Sequence, residues 1–324
     1  MARRSELGEL MDFGERLAAR VEERESQVVL GLDPDPAALW PAAVEAAPAG
    51  GSPAERAGAA VRAHCAALIE AAGPACVAVK PQLACFERLG ASGWAALEAT
   101  VRAAREAGLL VVADGKRGDV PVTAAAYGQA LVGSTPTPFG EAPGLGADAF
   151  TANPLLGRDA LEPLIAAARE AGAGVFVLVR TSNPGARDVQ DLELRGAAGE
   201  TGASGGPARL WERLAQLVAE LGGTGEGLAD VGAVVGATAP EHVARLRELM
   251  PRAPFLLPGV GAQGGRVEDL GPAFAPGPAG GLVTASRSIA AAGERTGQDP
   301  AAAARAEAER LREAARELAA AAGA

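Results

Sequence analysis

Lysine occurs at only two positions in the 324-residue chain, Lys80 and Lys116, although the chain carries 30 basic residues. An Ala- and Gly-rich composition of this kind reflects GC-rich coding, which drifts Lys to Arg wherever either cation serves. The two lysines that remain mark places where an ammonium is required. Lys116 lies in the stretch ADGKRGDV, 113–120, directly after the apolar run Leu109–Val112. Strand residues two apart share a face, so Asp114 and Lys116 are expected to project to the same side. A purely structural ion pair would accept arginine, often with better geometry. A proton donor would not, because guanidinium does not titrate usefully. Lys116 therefore reads as a general acid, and Lys80 as a second ammonium that holds carboxylates or a substrate hydroxyl. Asp119 lies just beyond, and an Asp before Val-Pro is also a good helix N-cap.

Such groups need a scaffold that brings distant segments together. Short apolar runs predict strands at Val28–Asp33, Cys76–Gln82, Leu109–Asp114, Ala147–Ala152, Val175–Arg180, Val231–Ala237, Phe255–Pro258 and Gly281–Ala285. Helical spacing predicts helices at Glu55–Ala72, Ser92–Ala107, Arg158–Ala171, Ala208–Leu221, Glu241–Met250 and Pro300–Ala322, the last with Asp299 as N-cap. Alternating strands and helices imply a parallel sheet, and eight strands are the number that closes a (β/α)8 TIM barrel; an open doubly wound sheet is the rival. The expectation is one α/β barrel domain over residues 1–324. It has an N-terminal helical extension and surface-loop insertions near 133–146 and 196–207. Asp33, Lys80, Asp114, Lys116, Ser182, Gln263 and Arg287 all fall at or just after predicted strand ends. In a barrel this is the catalytic face.

Composition excludes several classes. A net charge of −10 with one Tyr and three Trp offers neither the basic field nor the stacking surface of a nucleic-acid binder. No apolar run approaches the roughly 18 residues of a membrane span, and the first twenty residues lack the apolar core of a signal peptide. Three cysteines, Cys65, Cys76 and Cys85, without CxxC spacing, suit reduced structural thiols in a cytoplasmic protein. His64 and His242 stand far apart in the chain, which argues against a histidine-based metal site.

The D-x-K-x-x-D pattern of Asp114, Lys116 and Asp119 resembles that of orotidine 5′-phosphate decarboxylases. The resemblance extends through GLDP at 31–34, VKPQ at 79–82, TSNPG at 181–185, PGVGAQGG at 258–265 and SRSI at 286–289, in order. DGKRGD and TANPLLG, 151–157, are most similar to the longer-chain bacterial subgroup. The resemblance implies conversion of orotidine 5′-monophosphate to UMP and CO2, the last step of UMP biosynthesis, without metal or organic cofactor. It implies that Asp114 lies against the substrate carboxylate, that Lys116 protonates C6, and that Lys80 and Asp119 complete an alternating charge network. Asp33 and Thr123 would bind ribose hydroxyls, Ser182 the pyrimidine, Gln263 both base and phosphate, and Arg287 the phosphate. Asp119 and Thr123 would come from the other subunit of a homodimer.

Three rival functions compete with this one, and the first, a non-catalytic phosphate-binding protein, would have no reason to keep both lysines. A related sugar-phosphate decarboxylase or aldolase shares the barrel and the DxKxxD pattern, but usually needs Mg²⁺. An NAD-dependent dehydrogenase would explain Gly259-Val-Gly261-Ala-Gln-Gly264 as G-x-G-x-x-G. That fingerprint belongs after the first strand of its unit, with an acid at the next strand end. The strand Gly281–Ala285 ends without one.

Overall fold

In the computed structural model of the protein, residues 12–194 and 208–322 are described. The expected insertion at 196–207 lies outside them. Ten strands occur among these residues: β1 Val28–Leu32, β2 Ala78–Pro81, β3 Leu110–Arg117, β4 Ser134–Thr137, β5 Gly140–Pro143, β6 Ala149–Ala152, β7 Gly174–Arg180, β8 Val231–Val235, β9 Phe255–Pro258 and β10 Gly281–Ala285. Eight of them close a parallel barrel in the order β1-β10-β9-β8-β7-β6-β3-β2. The eight expected strands are these eight, within a few residues at each end. The open-sheet rival is excluded, since β1 pairs with both β2 and β10.

The strands form because they are buried on both faces, as parallel sheets require. Every residue of β1 is buried, as is every residue of β2, β6 and β10. Alternate residues divide between two cores. Val29, Ala78, Leu110, Val112, Ala149, Phe176, Val234, Leu256 and Leu282 pack together inside the barrel. Val28, Leu30, Val79, Val111, Phe150, Val177, Phe255 and Val283 face the surrounding helices. The expected N-terminal helix is Phe13–Arg24, started by a capping box between Asp12 and Glu15. It plugs one end of the barrel. Phe13 meets Phe176 edge to face at 6.0 Å, and Arg16 pairs with Asp148. With that end filled by apolar side chains, the opposite end is the one open to a ligand.

The helices largely match expectation. Pro53–Ala72 begins with a Ser52/Glu55 capping box, and Asp299 caps Pro300–Ala322 by accepting from the Ala302 N–H at 2.9 Å. Three differences have physical reasons. The helix Pro121–Leu131 buries only the small or spaced residues Ala124, Gly128 and Leu131, so its sequence shows no apolar stripe. Its N-cap is Val120, not Asp119; among the described residues Asp119 Oδ1 accepts only the Val120 N–H, at 2.7 Å. The stretch 133–146, expected as a loop, is the antiparallel hairpin β4–β5, with Ser134 opposite Pro143 and Gly140 at φ 111° in its turn. Its strands are exposed and short, so they carry no alternating apolar pattern.

Cys65, Cys76 and Cys85 are free thiols, and burial pushes Cys65 and Cys76 up to about 12. His64 and His242 lie on different elements. Burial lowers His64 to about 4, and its Nδ1 accepts the Trp40 N–H. Among the described residues, no helix is long and apolar enough to cross a membrane.

Candidate active site

The C-terminal ends of the barrel strands open into a cavity of about 670 Å³. Asp33, Lys80, Asp114, Lys116, Ser182, Gln263 and Arg287 all line it. Asp119 and Thr123 do not. They sit at the start of the helix Pro121–Leu131, half-buried and exposed respectively, beyond the rim.

Asp114 is the centre of the arrangement. It is 5% exposed, and each of its two oxygens accepts two hydrogen bonds. Oδ1 takes Lys116 Nζ at 2.6 Å and Thr151 Oγ1 at 2.9 Å. Oδ2 takes Lys80 Nζ at 2.5 Å and Gln82 Nε2 at 3.2 Å. Lys80 also stands 3.9 Å from Asp33 Oδ1. The order along the mouth is therefore acid, ammonium, acid, ammonium. Burial opposes ionisation of Asp114, but the Lys80 and Lys116 ammoniums outweigh it and hold the carboxyl well below the usual carboxylate range. Burial likewise disfavours a charged Lys80. Asp114 and then Asp33 more than offset it, so the Lys80 pKa is raised. Both groups are charged at neutral pH, as a preorganised electrostatic site requires.

Asp114 and Lys116 do not meet by simple strand alternation. Between the pairs Ala113–Phe150 and Arg117–Ala152, β3 advances four residues while β6 advances two. The strand bulges there, and Lys116 takes the left-handed φ of 48°. That conformation is uncommon for a residue other than glycine. It turns the lysine back so that its Nζ reaches Asp114. Gly115 sits in the bulge because a Cβ there would come within 2.7 Å of Leu83 Cδ1.

The rest of the mouth sets a few polar groups among apolar ones such as Leu155, Leu178, Val189 and Leu214. The side chains of Ser182, Gln263 and Arg287 make no hydrogen bond or ion pair among the described residues, which leaves them free for a ligand. Ser182 and Gln263 both flank Gly259: a Cβ on that glycine would lie 3.0 Å from Ser182 Cβ and 3.3 Å from Gln263 Oε1. Gly259, Gly261 and Gly264 all have positive φ. Backbone bonds from Gly261 N to Gly265 O and from Gly265 N to Gly259 O fold the loop on itself. The chain then enters the 3-10 segment Val267–Phe274 rather than an α-helix. This geometry does not fit the dinucleotide fingerprint, in which the glycines open a helix.

Several contributors carried no motif that sequence reasoning could isolate. Gln82 and Thr151 were visible only as members of VKPQ and TANPLLG. A brace behind Ser182 was not visible at all. Arg180 Nε and Nη2 bind Asp191 at 3.0 and 3.2 Å, and its Nη1 donates to Thr181 O at 2.9 Å. Gln190 Oε1 accepts the Thr181 N–H at 2.8 Å. Arg247, with no carboxylate partner among the described residues, donates to the carbonyls of Met250, Ala253, Ala273 and Gly280 and stacks 3.7 Å from the Phe255 ring centroid. It ties together the segments that lead into the N-terminal ends of β9 and β10.

Comparison with known proteins identifies the family of the chain. The model of the orotidine 5′-phosphate decarboxylase / HUMPS family matches residues 26–306. The orotidine 5′-phosphate decarboxylase of Deinococcus radiodurans is 47% identical over 226 residues, 68% of this chain and 74% of that one. The structure of Leishmania donovani OMP decarboxylase superposes with a TM-score of 0.67 at 32% identity, over 95% of this chain and 100% of that one. Leishmania donovani UMP synthase superposes with a TM-score of 0.69 at 34% identity. The match covers 94% of this chain, which spans only 57% of that longer one. With the family model spanning the whole barrel and the named relatives on the decarboxylase side of it, the chain belongs to the orotidine 5′-phosphate decarboxylase / HUMPS family.

Proposed function

We propose that the charge array of this mouth decarboxylates orotidine 5′-monophosphate to UMP and CO2, with Lys116 delivering a proton to C6. The observation that carries this reading is the buried Asp114 carboxylate fixed between two ammoniums, one of them half-exposed to the cavity. Loss of CO2 leaves an electron pair at C6 in the plane of the pyrimidine ring, where π delocalisation does not reach it. A nearby ammonium in a site shielded from water stabilises that charge far better than water does, and then quenches it by proton transfer. Lys116 suits this role because it lines the cavity while Asp114 holds its Nζ. Lys80, almost fully buried, is fixed between Asp33 and Asp114 and serves to place both carboxylates. The C–C bond breaks, its electrons pass to C6, and the Lys116 proton joins them there. The balance needs no oxidant, metal or organic cofactor.

Substrate is held by Asp33, at the end of the charge array, and by the three side chains left free. Asp33 faces a ribose hydroxyl, Ser182 the pyrimidine, and Gln263 both base and phosphate. Arg287, with the folded glycine loop beside it, takes the phosphate. Phosphate lies far from the reacting carbon, so gripping it supplies binding energy that orients the base. Arg287→Ala should therefore weaken UMP binding by about 10- to 100-fold, the value of a lost charge-assisted hydrogen bond, and leave uridine binding unchanged. Calorimetric titration of both ligands checks this. Equal losses for the two would place the phosphate elsewhere and overturn the orientation on which the other roles depend.

The second half of the proposal is a cytoplasmic homodimer in which each chain lends Asp119 and Thr123 to its partner's mouth. Both residues lie outside their own chain's cavity. Their neighbours Val120 and Val122 are 57% and 86% exposed, and Leu155 and Leu156, just past the adjacent strand β6, are 76% and 52% exposed. Exposed apolar groups beside Asp119 and Thr123, Val120 and Val122 above all, suit a surface that is covered in the working assembly.

A further inference from the structure

We infer that Thr151 is a positioning residue for the proton donor: its single hydroxyl holds the Lys116 backbone and the Asp114 carboxylate in register with each other. This rests on the reading of Lys116 as the acid that protonates C6.

Thr151 lies on β6, is 1% exposed and lines the cavity. A hydroxyl has one proton to give and lone pairs to accept with. Thr151 Oγ1 uses both. It donates to Asp114 Oδ1 at 2.9 Å and accepts the Lys116 N–H at 2.8 Å. The second bond is the informative one. The bulge takes the middle of β3 out of register with β6. Lys116 then has no ladder partner on β6, and its N–H is met by the Thr151 side chain instead.

The consequence is mechanical. Lys116 stands at φ 48°, a strained conformation for a residue with a side chain, which persists only where its surroundings impose it. Thr151 is what imposes it. Release of that N–H would let the backbone relax toward a right-handed or extended conformation. The ammonium, now 2.6 Å from Asp114 Oδ1, would swing away from its place. The same hydroxyl also fixes Oδ1, so it sets donor and carboxylate together. Serine could do this; valine, equal in shape, could not.

The test compares Thr151→Val with Thr151→Ser in the full chain. For Thr151→Val, kcat should fall by roughly 30-fold, because a misplaced donor damages the transition state. Affinity for UMP, which has no proton to receive, should stay within about threefold. Thr151→Ser should restore kcat to within about fivefold of the parent. Wild-type kcat in Thr151→Val, or equal losses in Val and Ser, would overturn the inference. So would a parallel loss of kcat and UMP binding, which marks a merely loosened barrel. Lys116→Ala run alongside separates the two levels. If it is inactive while Thr151→Val is normal, only this inference falls. If it turns over substrate normally, the assignment of the proton donor falls and this inference with it.

Discussion

Lys116→Arg should lower kcat by about 1,000-fold or more, at the upper end of what a positioned general acid contributes, while UMP binds within about fivefold of the parent. Arginine keeps the positive charge beside Asp114, so the carboxylate stays ionised and the barrel keeps its ion pair. What it lacks is a proton it can give up at neutral pH. Its planar fork also cannot reproduce a point contact of 2.6 Å from a residue whose backbone is turned back at φ 48°. The substitution thus removes proton delivery and leaves charge. Stopped assays of orotidine 5′-monophosphate consumption, beside UMP titration, measure the two effects separately. Retention of most turnover would remove Lys116 from the role of acid.

The second large effect concerns assembly. Asp119→Ala and Lys116→Ala should each be nearly inactive as pure proteins, and mixing them should recover activity. In a heterodimer, one mouth takes Lys116 from the Asp119→Ala chain and Asp119 from its partner, so it is complete. The other mouth carries both lesions. Random exchange makes about half of all dimers heterodimers with one good site of two, so roughly a quarter of parental activity should return under two-fold symmetry. Absence of recovery after exchange has been verified by mass spectrometry would place Asp119 within its own chain's chemistry. There, among the described residues, its one side-chain hydrogen bond is that from the Val120 N–H.

The parts of this site that sequence reading reached are those whose types are costly to change. Two lysines in an arginine-biased chain, carboxylates at strand ends and glycines at positive φ each betray a constraint in a single residue. The barrel itself was legible because parallel strands are buried on both faces and read as apolar runs, as Val28–Leu32 does. Bulges, braces and shared hydroxyls were not legible, since they depend on registers between segments far apart in sequence. Alternation placed Asp114 and Lys116 on one side for the wrong reason, and the bulge that brings them together is a property of β3 against β6. The Arg180–Asp191 pair and the four carbonyls gathered by Arg247 belong to the same class. Arginine is common throughout this chain, so nothing in its type set these two apart. The hairpin 134–143 was missed for the opposite reason: it buries little, so no apolar pattern records it.

That these side chains alone decarboxylate orotidine 5′-monophosphate can be checked in one assay. Purified protein is treated with excess chelator and added to the substrate. Ultraviolet absorbance tracks its consumption while chromatography identifies the product. Full consumption with UMP as product is expected, at a rate unchanged by the chelator or by added Mg²⁺. No consumption, or consumption only once a divalent cation is restored, would refute the claim and turn attention to the metal-dependent sugar-phosphate chemistry that shares the barrel and the Asp114–Lys116–Asp119 pattern.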